Sequence, residues 1–135
     1  MAGFTPDEGE TLLAQIIHQR THVDRDANLE LGLFTNATPG ETITQATITE
    51  PTGGGYARID LTDASWSIVG DTASYAQQTF TCTGTDYSAL VYGYFISSKA
   101  AAGTKRLLYV EIDAAGPYDI NVGDTYKITP NITIG

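Results

Sequence analysis

Two histidines four residues apart, His18 and His22, are the first pair whose spacing suggests chemistry. Positions i and i+4 share a helical face, as metal-binding pairs do. The helix that would carry them is expected to end near residue 20, however. His18 also lies off its apolar stripe, and no His-Glu-x-x-His pattern surrounds either residue, so a solvated surface pair is the better reading. Asp24, Asp26 and Asn28 match the first three ligand positions of a calcium loop. The match ends at Leu29, where the loop needs a glycine for its sharp turn, and no glutamate closes it. Gly53, Gly54 and Gly55 are followed by Tyr56 and not by Lys-Ser/Thr, so they form a turn and not a phosphate loop. No Gly-x-Ser-x-Gly elbow is present. Cys82 has no histidine partner, and its apolar register suggests a buried small hydrophobe. Sixteen carboxylates are present, but no pair stands out as an acid and a base in split environments. A cupin-like metal site needs several histidines on strands, and both histidines precede the strand-rich region. No catalytic residue, metal or cofactor is expected, and the chain is read as a protein that is not an enzyme.

Two further patterns have bland readings. Asn36-Ala-Thr38 and Asn131-Ile-Thr133 fit the glycosylation sequon, which without a signal peptide is expected by chance. Trp66 and the tyrosines could form a platform for the apolar faces of sugars. Sheet cores and subunit interfaces use the same residues routinely.

Composition narrows the function class. The 135 residues fit one domain, long enough to bury roughly 65–70% of the surface of the unfolded chain. Charged residues make up 17%, below the usual share of about 25%, and Thr, Gly, Ser and Asn fill the gap. Threonine and the 8 tyrosines favour strands, and glycine favours turns. The net charge is −9 with only 7 basic residues, which argues against nucleic-acid binding, because that affinity comes from cations neutralising phosphates. A single cysteine makes no internal disulfide and implies no oxidising compartment. No apolar run is long enough for a membrane helix, and no secretory signal is evident. Synthesis in a cytosol, without translocation by the secretory route, is the expectation.

These residues sit on a short helix and a long strand-rich body. Residues 5–20 read as the helix. Thr5 and Glu8 form a capping box, Pro6 suits the first helical position, and Asp7, Glu8 and Glu10 complement the dipole. Leu12, Leu13, Ile16 and Ile17 form one apolar stripe. Gly9 weakens the pattern by about 1 kcal/mol. From Leu29 the period becomes two: Leu29, Leu31 and Leu33 alternate with Glu30, Gly32 and Phe34. Strands are also expected at Tyr56–Leu61, 65–69, 72–82, 89–97, 106–112, 118–122 and 126–134. Pro130 marks an edge or a bulge. About eight strands at this spacing predict an all-β fold, an antiparallel β-sandwich of jelly-roll type with a short N-terminal helix. The division expected is an N-terminal helical arm over 1–27 and a β-sandwich body over 28–135. The arm's stripe needs a partner, so Leu12, Leu13, Ile16 and Ile17 are candidate interface residues. Tyr92 and Tyr94, expected on one strand face with Leu90 and Ile96, join them.

Six segments taken in order, TPDEGETLL, NLELGLFTN, ITEPTGGGYARIDL, VYGYFISS, LLYVEI and INVGDTYKITPNITI, resemble a group of short bacteriophage virion structural proteins. The likeness runs through most of the chain. It implies a component of the virion with no catalysis, and it transfers no catalytic residues. A compact, acidic jelly-roll-like protein of this length is similar to capsid cement or decoration proteins, which bind over the shell and tie capsomers together. The expected partners are the major capsid protein or other virion proteins, and further copies of the chain in a homo-oligomer such as a trimer. Neither nucleic acid nor membrane is expected as a partner. A tail or baseplate subunit is the alternative within the virion, and a carbohydrate-binding module is the alternative outside it.

Overall fold

The computed structural model describes residues 2–18, 28–62, 65–99 and 105–133. His22, Asp24, Asp26 and the loop after Lys99 lie outside the described residues. Among those described are one helix, α1 (Asp7–His18), and ten short strands: β1 (Ala2–Phe4), β2 (Leu29–Phe34), β3 (Ile59–Leu61), β4 (Ser67–Val69), β5 (Thr72–Ser74), β6 (Gln78–Thr81), β7 (Gly93–Ser98), β8 (Leu107–Ile112), β9 (Thr125–Ile128) and β10 (Asn131–Thr133). The protein is therefore mostly β, with antiparallel sheets and one short N-terminal helix.

The largest sheet has the order β1-β8-β7-β2-β3. Its centre is β2 and β7, paired along their whole length from Leu29↔Ser98 to Phe34↔Gly93. Both are buried on both faces, which is why the run over 91–96 leaves no polar face for water. The alternation sorts side chains into two clusters. Leu31, Leu33, Tyr94 and Ile96 enter the first, with Phe80, Ile128 and Ile132 from β6, β9 and β10. Phe34, Phe95, Leu107 and Val110 enter the second, covered by Ile43 and Ile48 from the loop after β2. A bulge in β8 interrupts this sorting: Ile96 pairs with Tyr109 and Ser97 with Leu107, which leaves Leu108 extra. Leu108 and Tyr109 thus both reach the first cluster, although adjacent strand residues normally face opposite ways.

Two small sheets, β10-β5-β4 and β6-β9, are joined through bent strands. β5 pairs with β10 and β6 with β9, and the Tyr75 N–H donates to Pro130 O between them at 3.0 Å. Three residues (75–77) face two (129–130) across this joint. The expected continuous strand over 72–82 is therefore split, and Pro130 sits at the irregularity. Residues 118–122, expected as a strand, contribute only an isolated bridge between Val91 and Tyr118. The segment beside it bonds backbone to backbone only at the Val91–Tyr118 pair and from Tyr87 N to Ile120 O, too irregularly spaced for a continuous ladder.

The helix lies on β8. Gly9 explains the approach: a Cβ there would stand 2.5 Å from Leu107 O and 3.1 Å from Leu108 Cα. Its helix-weakening lack of a side chain is what lets the two backbones meet. The capping box is replaced by a longer-range arrangement. Glu8 Oε1 accepts from Leu107 N at 2.6 Å and Gln45 N at 2.9 Å, and Asp7 N–H donates to Glu41 O. β1, not anticipated from the sequence, pairs antiparallel with β8 on its outer edge.

Candidate functional site

Three places gather side chains able to do something: a polar network, a tyrosine–carboxylate cleft and an apolar groove. The network lies on the second face of the large sheet. Glu30, buried to 4% exposure on β2, accepts from Lys105 Nζ at 2.7 Å and lies 3.5 Å from Arg58 Nη1. Arg58 grips Glu50 with two bonds, Nε to Oε1 at 3.0 Å and Nη2 to Oε2 at 2.8 Å, and its Nη2 also donates to Gln45 Oε1. Its guanidinium stacks 4.8 Å over the Phe95 ring. The Tyr56 hydroxyl donates to Glu50 Oε1 at 2.6 Å and accepts from Leu33 N. Gln45 Nε2 donates to the Ser97 hydroxyl. Burial pushes the Glu50 carboxyl up, but the bonds from Arg58 and Tyr56 and the Arg58 charge outweigh it and hold it below its ordinary value. Burial, then Glu50, pushes the Tyr56 phenol well above its own. The groups here satisfy one another, so the network fastens the loop over 35–58 to the sheet.

The cleft forms where β8 and β9 approach. A 220 Å³ cavity is lined by Tyr94, Glu111, Asp113, Tyr126, Lys127, Ile128 and Thr129. A second concavity of about 590 Å³ shares Asp113, Tyr126 and Lys127 with it and adds Tyr118, Asp119 and Asp124. Tyr126 Oη donates to Asp113 Oδ2 at 2.9 Å, and the Tyr118 and Tyr126 rings lie 5.2 Å apart. Burial, with the neighbouring Asp113 or Glu111, raises the phenols of Tyr126 and Tyr94. These phenols stay neutral donors. Sequence reasoning missed this cluster, because its members come from segments that the topology alone brings together.

The apolar groove, about 410 Å³, is lined by Ile16, Leu29, Trp66, Ile68, Ala73, Leu108 and Ile132. The Leu108 bulge aims that side chain into it. At its rim Ile68 is 67% exposed, and Val69 beside it 76%. Ile17 at the end of α1 is 68% exposed.

The candidate interface residues are divided by this arrangement. Leu12 is 1% exposed and part of the chain's own interior. Leu13 packs on the first cluster, Ile16 lines the groove, and Ile17 stands in solvent. Tyr92 and Tyr94 do not share a face: Tyr94 is buried in the first cluster, and Tyr92 packs against the second. The strand begins only at Gly93, so Tyr92 lies outside the regular alternation. Leu90 is exposed and Ile96 buried. Trp66 packs edge-on against Tyr75, with ring centroids 5.3 Å apart, and lines the apolar groove. Cys82 is buried, and its thiol donates to Thr85 O. Gly53, Gly54 and Gly55 all have positive φ, the conformation glycine tolerates, and their loop bonds to residues 83–88. Asn36 Oδ1 accepts from Thr49 N. Among the described residues no group of three or more His, Cys, Asp or Glu is placed to hold a metal. Comparison of the chain with models of protein families, with curated proteins and with solved structures finds no match.

Proposed function

We propose that this chain is a structural protein of a bacteriophage virion, acting as a capsid cement or decoration protein that binds across capsomer joints. The observation that carries the reading is Ile68, exposed on a groove lined by apolar side chains, with Ile17 and Val69 also left in solvent. Large apolar groups left in water around a concavity mark a docking surface. The sequence resemblance supplies the virion setting, and the stacked-sheet, jelly-roll-like form belongs to the same proposal. The mechanism is binding alone. Each copy buries a small apolar area, and many copies on one shell multiply that into durable attachment. Ile17 is the helix residue best placed to touch the major capsid protein, because Leu12 and Leu13 are already used inside the chain.

The test is to label the protein on purified particles and image them. Label on heads supports the cement reading. Label on tails supports the tail or baseplate alternative, and unlabelled particles overturn both. Ile17→Asp is expected to abolish attachment and leave the fold unchanged.

A second reading, carbohydrate binding, draws on the cleft and not on Trp66. Tyr118 and Tyr126 offer ring surface, and Glu111, Asp113, Asp119 and Asp124 offer acceptors for sugar hydroxyls. Glycan-array binding lost on Asp119→Ala would favour it.

A further inference from the structure

We infer that β4, whose outer edge pairs with no other strand among the described residues, pairs antiparallel with β4 of a second copy of this chain, around a two-fold axis at Ile68. The inference rests on the assembly reading above in taking exposed apolar side chains as contact surface; it assigns Ile68 and Val69 to a second copy and leaves Ile17 for the shell.

Backbone polarity comes first. β4 and β5 are joined by the two-residue turn Gly70-Asp71, with Val69 opposite Thr72 and Ile68 opposite Ala73. In such a hairpin the pair flanking the turn exchanges both hydrogen bonds, and the next pair exchanges none. Ile68 and Ala73 are that next pair, so their N–H and C=O groups point away from each other. The neighbouring strand agrees: Tyr75, two residues beyond Ala73, donates its N–H to Pro130 on the β10 side. The Ile68 N–H and C=O therefore face outward from the edge of the sheet β10-β5-β4. Two copies related by a two-fold axis at Ile68 would exchange both bonds between the two Ile68 residues, the pattern an antiparallel pair requires. A two-fold contact of this kind matches a surface with itself.

The side chains follow the same register. Ile132 lies opposite Ala73, and Ala73 opposite Ile68, so the three form one apolar row across the sheet. All three line the groove. Pairing at Ile68 extends the row into its mirror sequence in the second copy, with Ser67 opposite Val69 on the other face. The exposed Ile68 and Val69 lose water in the same step.

Charge points to the same occupant. A chain of net charge −9 repels its own copies over most of its surface. Residues 66–70, 72–74 and 131–133 carry no charge. Asp71 is the exception, and in the paired register the two Asp71 residues stand six positions apart. That is roughly 20 Å, beyond the screening length of about 8 Å at physiological salt. A three-residue edge makes few bonds, so the free dimer is weak and concentration-dependent.

Sedimentation equilibrium from micromolar to millimolar chain, with crosslinking, tests this. The wild-type mass is expected to rise from 14.4 kDa towards twice that value. Ile68→Lys should hold it at the monomer with an unchanged circular-dichroism spectrum. Ile68→Cys should form a disulfide-linked dimer under mild oxidation, because paired Cα atoms about 5.5 Å apart suit that bond and Cys82 is buried. A monomer at every concentration, with no crosslink in the Ile68→Cys variant, overturns the inference, as does a dimer or trimer that Ile68→Lys leaves intact. Loss of particle labelling with the dimer preserved counts against the virion reading alone.

Discussion

Replacing Arg58 with methionine should cost far more than an ordinary surface charge, and the structure gives the scale. Arg58 makes two bonds to Glu50 and one to Gln45, attracts the buried Glu30, and covers the Phe95 ring. Charge-assisted bonds contribute about 1.5–3 kcal/mol each, but those sharing one network do not add. The Arg58 and Glu50 side chains are 18% and 26% exposed, which screens part of the loss. A net cost of about 2–4 kcal/mol follows, or roughly 8–16 °C in melting temperature for a domain of this size. The control is Lys99→Met. Its 2.7 Å pair with Asp60 is 44% and 54% exposed and screened by water, so its removal should barely move the unfolding midpoint. Urea unfolding of both variants gives the comparison, and Arg58→Met/Glu50→Gln should recover part of the loss. The acid limb adds a signed test. Glu50 is held below its ordinary 4.5, so its stabilising effect is complete above that value and disappears as pH falls below it. Without Arg58 its hydrogen bonds and its charge no longer lower the carboxyl, which moves up, so acid unfolding should begin at higher pH. If Arg58→Met and Lys99→Met prove equally mild, or the acid midpoint does not move, the network does not fasten the loop as argued.

Two further outcomes are expected. Gly93→Ala places a Cβ 2.0 Å from the Glu111 carbonyl oxygen, between two paired strands, and should cost about 1–3 kcal/mol in urea melts; Gly40→Ala, with nothing within 4 Å, should stay within about 0.5 kcal/mol. Tyr56, Tyr94 and Tyr126 are raised above the ordinary 10.0 by burial and then by Glu50, Glu111 and Asp113, so the stability they give is full below pH 10 and declines as pH rises past it. Absorbance titration should show these phenols ionising only as the circular-dichroism signal collapses, and ionisation of all eight near 10 with the fold intact would contradict their burial.

The amino-acid order determined the local features by itself. Acidic residues followed by Leu12, Leu13 and Ile16 at helical spacing require a helix with one apolar side, and period-two leucines over 29–33 require a strand with two unlike faces. The uninterrupted apolar run at 91–96 announced a strand covered on both sides, because no polar face was left for water. Tertiary structure decided what each feature meets. Gly9 reads as a helix defect until β8 lies against it, and Glu8 reads as half of a cap until Leu107 and Gln45 present their N–H groups. The Leu108 bulge and the joint at Pro130 depend on strand register, a property of pairs that no single segment encodes. The same holds for Glu30, Glu50 and Arg58, and for Glu111, Asp113 and Tyr126. Most of their partners lie on other elements, so their pairing and burial were set only when the sheets assembled around them.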